Sequence, residues 1–302
     1  MKRLSIIIVT YKSEKHIYHC IDSIHAHSDI PPEQLEIIIV DNSPQCQPMF
    51  SNIAQRYGSS IVTIHNTHNG GYGQGNNIGI RRATAPVIMI MNPDVRLCQP
   101  VFSHCLQQFD RRPRLVLYGF TQRQPDHTIG HSTAWVNTVH PYIAEPLRYI
   151  MAKANIYWPR YMYVTGACFF IRKDTFLQAG LFDETIFMYG EEEDIHDRLL
   201  KLPGAQMGYA RRLSYIHHHP VPTDMTHESH DWMKANLNTL LKINRRNGIN
   251  DKKTITYAIK RNNISILKEQ LISLLTHGRN RDRLQYFLKW KAYLRSLPIT
   301  SG

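Results

Sequence analysis

An α/β fold built on a mainly parallel sheet is what this 302-residue sequence predicts, and three observations carry the prediction. Short apolar runs rich in β-branched residues recur without polar alternation, as strands covered on both faces require. Segments with helical spacing separate them. Polar residues follow directly on the runs, at the sheet end where ligands bind in such folds.

The elements read in order as follows. LSIIIVT (4–10) is the first strand. Residues 13–27 have helical spacing, with Ile17, Cys20, Ile21 and Ile24 on one face. LEIIIV (35–40) is a second strand, 50–57 a helix, and SIVTIH (60–65) a third strand. A helix is expected over 75–83, with Asn76 near its start, and PVIMIM (86–91) is a fourth strand. Strands alternating with short helices make βαβ units with right-handed crossovers. Beyond Asp94 the pattern changes: a helix at 100–109, an irregular stretch at 114–164, and a strand at 164–171 (VTGACFFI). A short helix at 174–180 has Asp174 as its cap. A helix at 193–202 and a strand within 207–217 follow, and from His230 the chain reads as helices. The expected organisation is a catalytic domain over 1–220 and a basic, amphipathic helical extension over 221–302.

The chain carries 36 Lys and Arg against 24 Asp and Glu, a formal +12. Of these, 15 basic and 6 acidic residues lie after residue 220. A basic tail points to an anionic partner, either a membrane surface or a polyphosphate. No nucleic-acid motif is present, so nucleic acid is not an expected partner. The five cysteines form no CxxC pair, which fits a reducing compartment. The apolar run near Met1 is too short for a signal peptide, and no stretch approaches the roughly 18 apolar residues of a spanning helix. The expected location is cytoplasmic, either free or peripheral at the inner face of the cytoplasmic membrane.

Four polar groups close the first four strands: Thr10-Tyr11, Asp41-Asn42-Ser43, the Gly-rich stretch from Asn69 to Asn77, and Asn92-Pro93-Asp94. The Gly-rich stretch is not a dinucleotide fingerprint. It follows the third strand rather than the first, and Asn76 stands where the last glycine belongs. Its glycines would let a nucleotide approach the backbone, at a helix N-terminus suited to phosphate. Pro93 fixes the backbone beside Asp94, whose carboxylate suits Mg²⁺ or Mn²⁺ or, equally, a turn cap. Glu191-Glu192-Glu193-Asp194 is the densest acidic cluster. It complements a helix dipole, and crowded carboxylates beside aromatic residues also suit a general base. At helical spacing Glu191 and Asp194 share a face and Glu192 points elsewhere. The run 217–219 is a third metal ligand, a phosphate contact or a surface run; on a strand His217 and His219 face one side.

The ordered set SIIIVTYKSE, EIIIVDNSP, NGGYGQGNNIGI, IMNPDV, VTGACFFIRKDTF, LFDETIFMYGEEEDIHDRL and IHHH resembles family-2 inverting glycosyltransferases, most closely the bacterial rhamnosyltransferase-like enzymes. The resemblance covers residues 4–219. It implies a GT-A fold, a Rossmann-like mixed sheet flanked by helices, and a divalent metal, Mg²⁺ or Mn²⁺. It implies transfer from a UDP-, dTDP- or GDP-linked sugar to a hydroxyl of a glycan or lipid-linked acceptor in surface polysaccharide synthesis. By the same resemblance, Thr10 and Tyr11 line the nucleotide pocket, Asp41 reads the base, and Asn69, Gly71, Gly75 and Asn76 flank ribose and phosphates. Asn92 and Asp94 match the Asp-x-Asp element, with Asp94 on the metal and Asn92 in place of its first acid. Gly166 and Ala167 match the acceptor-side segment beneath the donor sugar. The family's Glu-Asp pair falls on Glu191-Glu192; with Glu192 where Asp is usual, Glu191, Glu192 and Asp194 all stand as the base. His217 matches the late His of the metal or diphosphate site.

The tail is not covered by the resemblance. Residues 257–275 and 283–297 are amphipathic, and Tyr286, Trp290 and Tyr293 recur at i, i+4, i+7. Either these helices pack on the catalytic domain, or they rest on an anionic membrane that presents the acceptor. Two rival classes of function remain. A sugar nucleotidyltransferase would show a Gly-rich basic loop after the first strand, which Thr10-Tyr11-Lys12-Ser13 does not provide. A nucleotide-sugar-binding protein without transfer activity is the other.

Overall fold

Four apolar runs form four neighbouring parallel strands: β1 (Leu4–Thr10), β2 (Leu35–Asp41), β3 (Ile61–His65) and β4 (Val87–Met91). The computed structural model describes residues 1–136, 141–218, 227–275 and 281–298. His219 and the expected boundary at 220–222 lie outside the described residues. By backbone proximity the chain forms two compact units. The first is Met1–Ala134 with Met151–His219, the second Trp135–Ile150 with Pro220–Gly302.

In the first unit the sheet continues through β5 (Val95–Leu97), β6 (Leu115–Arg123), β9 (Cys168–Arg172) and β10 (Gln206–His217). Its order is β3-β2-β1-β4-β9-β6-β10-β5, while β7 (Thr133–Trp135) and β8 (Met162–Val164) form a separate ribbon. β9 runs antiparallel to β4 and β6, so the sheet is mixed. Strand β6 is a correction, because 114–164 reads as irregular in sequence. Eight of its nine residues are buried. Its Gly119 marks a close approach: a Cβ there would lie 2.6 Å from Val164 Cγ2.

Alternate residues of the strands feed two cores. Ile6, Ile8, Ile37, Ile39 and Met89 bury against α1 (Glu14–Ala26), α2 (Gln47–Tyr57) and α4 (Phe102–Arg111). Ile7, Ile38, Val40, Ile88 and Ile90 bury on the other face, with α3 (Gly71–Arg82), α6 (Lys173–Gln178) and α7 (Glu191–Leu200). Each fully buried aliphatic side chain contributes about 1.5–3 kcal/mol. The two cores fix the sheet between helices and leave the carboxyl ends of β1 to β4 along one edge.

The second unit contains most of α5 (Pro141–Lys153), with α8 (His227–Arg246), α9 (Asp251–Leu275) and α10 (Arg281–Ser296). The aromatic stripe of the tail lies inside it. Trp290 and Leu294 form a small core with Leu237, and Met233, Ile259 and Tyr293 pack around them. Tyr286 is buried and stacks on His230 at 4.3 Å. As a membrane-facing surface that stripe is therefore corrected: these rings hold the tail helices to one another.

Candidate active site

The carboxyl ends of β1 and β2 are joined through Asp41. Its Oδ1 accepts hydrogen bonds from the Thr10 hydroxyl at 2.8 Å and the Ser43 hydroxyl at 2.9 Å. Its Oδ2 is buried with no protein partner. Tyr11, next in the chain, is exposed, and Lys12 turns the chain with φ 52°. The result is a fixed carboxylate with one acceptor left over, beside an exposed aromatic ring.

The Gly-rich segment starts its helix four residues earlier than the spacing suggests, at Gly71 rather than Gly75. Its glycines are used in packing. At Gly71 (φ +89°) a Cβ would meet the Phe187 carbonyl oxygen at 1.8 Å, and at Gly75 it would meet Val9 Cγ1 at 2.7 Å. The room they make is filled by protein, so close approach of a nucleotide is not what these two positions require. An amide network holds the segment instead. Asn42 Nδ2 donates to Asn69 Oδ1 (3.3 Å) and to the Gly71 carbonyl (3.1 Å), and Asn66 Nδ2 donates to Asn42 and Gln74. Asn76 Nδ2 donates to the Tyr72 carbonyl, and its Oδ1 is buried without a partner.

Beyond β4, Asn92-Pro93-Asp94 forms a turn closed by Val95 N–H to the Asn92 carbonyl at 3.1 Å. Strand β10 pairs antiparallel with β5, His217 opposite Val95, and this brings His217 back to the turn. His217 Nε2 lies 3.2 Å from Asp94 Oδ1, with both side chains mostly buried. The His218 N–H donates to the Asp94 carbonyl at 2.9 Å.

The acidic quartet lies wholly in the first turn of α7, whereas the sequence pattern starts the helix at Glu193. Tyr189 (φ 74°) and Gly190 (φ 98°) turn the chain into this helix in left-handed conformations, costly for the tyrosine. Three of the four acids then separate. Asp194 is buried and accepts from Arg198 Nε and Nη2 at 2.9 and 2.6 Å. It forms a structural ion pair within α7. Glu192 Oε1 accepts the Gly166 N–H at 2.9 Å. Burial raises its pKa above the usual carboxylate range, partly offset by backbone N–H groups around it. Glu191 is buried with Oε1 unpartnered, and its pKa is pushed up to about 8, by burial first and then by the Glu192 charge.

Gly166 and Ala167 precede β9 in a turn, not within a strand, and they join Glu192 to the Asn92-Pro93-Asp94 turn. The Ala167 carbonyl accepts the Asn92 N–H at 2.9 Å. The Gly166 carbonyl accepts the Tyr72 hydroxyl at 2.6 Å, and Tyr72 N–H donates to the Phe187 carbonyl at 3.1 Å. Glu192, Gly166-Ala167, Asn92-Pro93-Asp94 and His217 are thus linked along one edge of the sheet. Asn42, Tyr72 and Gln74 take part from within the polar groups that the sequence marks, though no role is expected of them individually, and Asn66 takes part without being among the residues the sequence singles out. Asn66 carries a signal, since it follows β3 directly as Asn42 follows β2.

A divalent metal fits the Asp94–His217 pair. One carboxylate and one imidazole are typical donors, and Mg²⁺ or Mn²⁺ usually completes its shell with substrate phosphates and water. Among the described residues no cluster of three or more His, Cys, Asp or Glu forms a protein-only metal cage.

A mixed sheet between helices, with polar strand ends and carboxylates gathered on one edge, has the GT-A fold. The profile of glycosyl transferase family 2 matches residues 5–178, and the chain belongs to that family. It is similar to the O-antigen biosynthesis protein RfbC of Myxococcus xanthus, 24% identical over 219 residues, covering 70% of this chain and 17% of that protein. The chain thus spans under a fifth of that relative's length. It is 25% identical over 257 residues to the N-acetylglucosaminyl-diphospho-decaprenol L-rhamnosyltransferase of Mycobacterium tuberculosis, covering 75% of this chain and 80% of that one. Among solved structures it resembles the mannosyltransferase PcManGT of Pyrobaculum calidifontis, in complex with GDP-Man and Mn²⁺. The TM-score is 0.62 at 13% identity, covering 96% of this chain and 86% of that one.

Proposed function

We propose that the chain transfers a sugar, with inversion, from a nucleoside-diphosphate sugar to a hydroxyl of a glycan or lipid-linked acceptor in bacterial surface polysaccharide synthesis. The observation that carries this reading is the linkage of Glu192 through Gly166-Ala167 to the Asn92-Pro93-Asp94 turn and His217. It supports a reading in which a proton acceptor and, with a metal bound, a diphosphate-binding end share one sheet edge. The named activity of the mycobacterial relative, on a lipid diphosphate acceptor, supports the acceptor class.

In this reading Tyr11 stacks on the base and Asp41 Oδ2 accepts an N–H from it, which uracil, thymine and guanine each offer. Asn69 and Asn76 face the ribose and phosphates. Asp94 and His217 hold the Mg²⁺ or Mn²⁺, which when bound supplies positive charge against the departing diphosphate. Glu192 accepts the proton of the acceptor hydroxyl. The acceptor oxygen bonds to the anomeric carbon as the bond to the diphosphate oxygen breaks on the opposite face, and that oxygen keeps the electron pair. The raised pKa of Glu192 brings its basicity closer to that of the working solution. Glu191 is buried whereas Glu192 is half-buried, so Glu192 is the acid that an acceptor hydroxyl can reach, and Asp194 is occupied by Arg198. The reaction would run at the inner face of the cytoplasmic membrane, where a lipid-linked acceptor is presented.

The test is transfer by the purified chain from UDP-, dTDP- and GDP-sugars to polyprenyl-diphosphate-linked acceptors, with NMR of the product linkage. An inverted anomeric centre is expected. A retained configuration, or no turnover with any donor, contradicts the reading.

A further inference from the structure

Helix α9 buries one face and exposes another of mixed character. Ile255, Asn262, Ile266 and Glu269 are buried. At 3.6 residues per turn, Lys253, Lys260, Leu267, Leu271 and Leu274 fall within an arc of about 60° on the opposite side. The leucines are open: Leu267 is 58%, Leu271 54%, Leu274 76% and Leu275 82% exposed. Toward the N-terminal end, Lys252, Lys253 and Lys260 line, with Pro141 and Thr256, a hollow of about 450 Å³. The face is therefore basic at one end and apolar at the other.

No acid of α9 belongs to it. Asp251 is held by Arg245 at 2.5 Å, and Glu269 is buried and lies 3.2 Å from Arg283. The same unit carries a second apolar stripe on α5, where Ile143, Leu147 and Ile150 are exposed at i, i+4, i+7. Among the described residues no helix is long and apolar enough to cross a membrane, so these residues are not part of a span.

We infer that the Lys253–Leu275 face of α9 is a docking surface for an anionic phospholipid membrane, its leucines entering the acyl boundary and its lysines meeting the headgroups. Charge decides the occupant. A second copy packed α9 against α9 would bring lysines to lysines with no acid of this face between them, whereas a bilayer with anionic headgroups satisfies both ends at once. The inference deepens the lipid-linked acceptor reading of the proposed function by supplying the contact that would keep the enzyme beside such an acceptor.

The test is flotation of the full chain, without donor, on phosphatidylcholine vesicles with and without phosphatidylglycerol. The wild type is expected to float with the anionic vesicles and weakly with the neutral ones. Leu271→Glu with Leu274→Glu should lower the bound fraction about tenfold, and Lys253→Glu with Lys260→Glu should remove the preference for anionic vesicles. Circular dichroism and hydrolysis of the soluble donor should be unchanged in both variants. Wild-type protein that stays unbound on anionic vesicles, or variants that float like wild type, would overturn the inference. So would a wild-type dimer that the leucine variant dissociates, since a second copy would then cover the face. Because flotation uses no donor, it can fail while transfer succeeds, and the reverse.

Discussion

The backbone N–H of Gly166 donates to Glu192 Oε1 at 2.9 Å, and a Cβ on residue 166 would come within 2.1 Å of that oxygen. The glycine therefore does two things: it presents a donor and leaves room for the carboxylate to reach it. Gly166→Ala should displace Glu192 and lower kcat about 100-fold, in the range of a lost general base, with the KM for donor little changed. Steady-state kinetics with unchanged circular dichroism check this. Wild-type kcat in the variant would show that the contact has no catalytic consequence.

The three acids should separate by what they lose. Glu192→Gln is expected to lower kcat by about two to four orders of magnitude with little change in melting temperature. Asp194→Ala leaves Arg198 without its buried partner and should cost about 3 kcal/mol of stability, measured by denaturant unfolding, with kcat per folded molecule retained. If Asp194→Ala were stable and inactive, the roles of Glu192 and Asp194 would have to be exchanged.

Glu191 makes stability depend on pH. Its pKa is raised to about 8 in the folded chain, so the folded state keeps a proton that the unfolded chain releases above the ordinary Glu range. The unfolded state then binds fewer protons, and stability falls as pH rises through that window, reaching its floor above about pH 8. Glutamine cannot ionise. The melting-temperature advantage of Glu191→Gln over wild type should therefore grow from about pH 5 to about pH 9. A pH-independent difference would contradict the raised pKa.

Asp41 is held by Thr10 and Ser43 with Oδ2 left over. Asp41→Ala should weaken nucleoside-diphosphate binding about tenfold or more, the effect of losing one charged hydrogen bond. Calorimetric titration with UDP, dTDP and GDP would show it, and the base with the largest loss identifies the donor. Equal, unchanged affinities would remove Asp41 from the site.

The strands are legible where burial on both faces makes the sequence continuously apolar, as in β1, β2 and β4. β6 is not, because Gly119 interrupts its run and Thr121, Gln122 and Arg123 end it in polar residues that only the fold buries or pairs. The glycines of α3 suggest room for a ligand. The room is real, but Phe187 and Val9 occupy it, a long-range fact that local sequence does not contain. Spacing along α7 groups Glu191 with Asp194, yet their partners separate them: Arg198 one turn on takes Asp194, while Gly166, 26 residues back, takes Glu192. The tail shows the same limit. Aromatic periodicity marks a buried seam, and the exposed face is the leucine and lysine side of α9.

Asp94 and His217 form the diphosphate end of the proposed site, and every other role depends on them. Calorimetric titration of wild type and Asp94→Asn with a nucleoside diphosphate, with and without Mn²⁺, tests this most directly. Tight binding that requires Mn²⁺ in the wild type and is at least about tenfold weaker in the variant is the predicted result. Equal affinity in all four titrations, with both proteins folded, would contradict it.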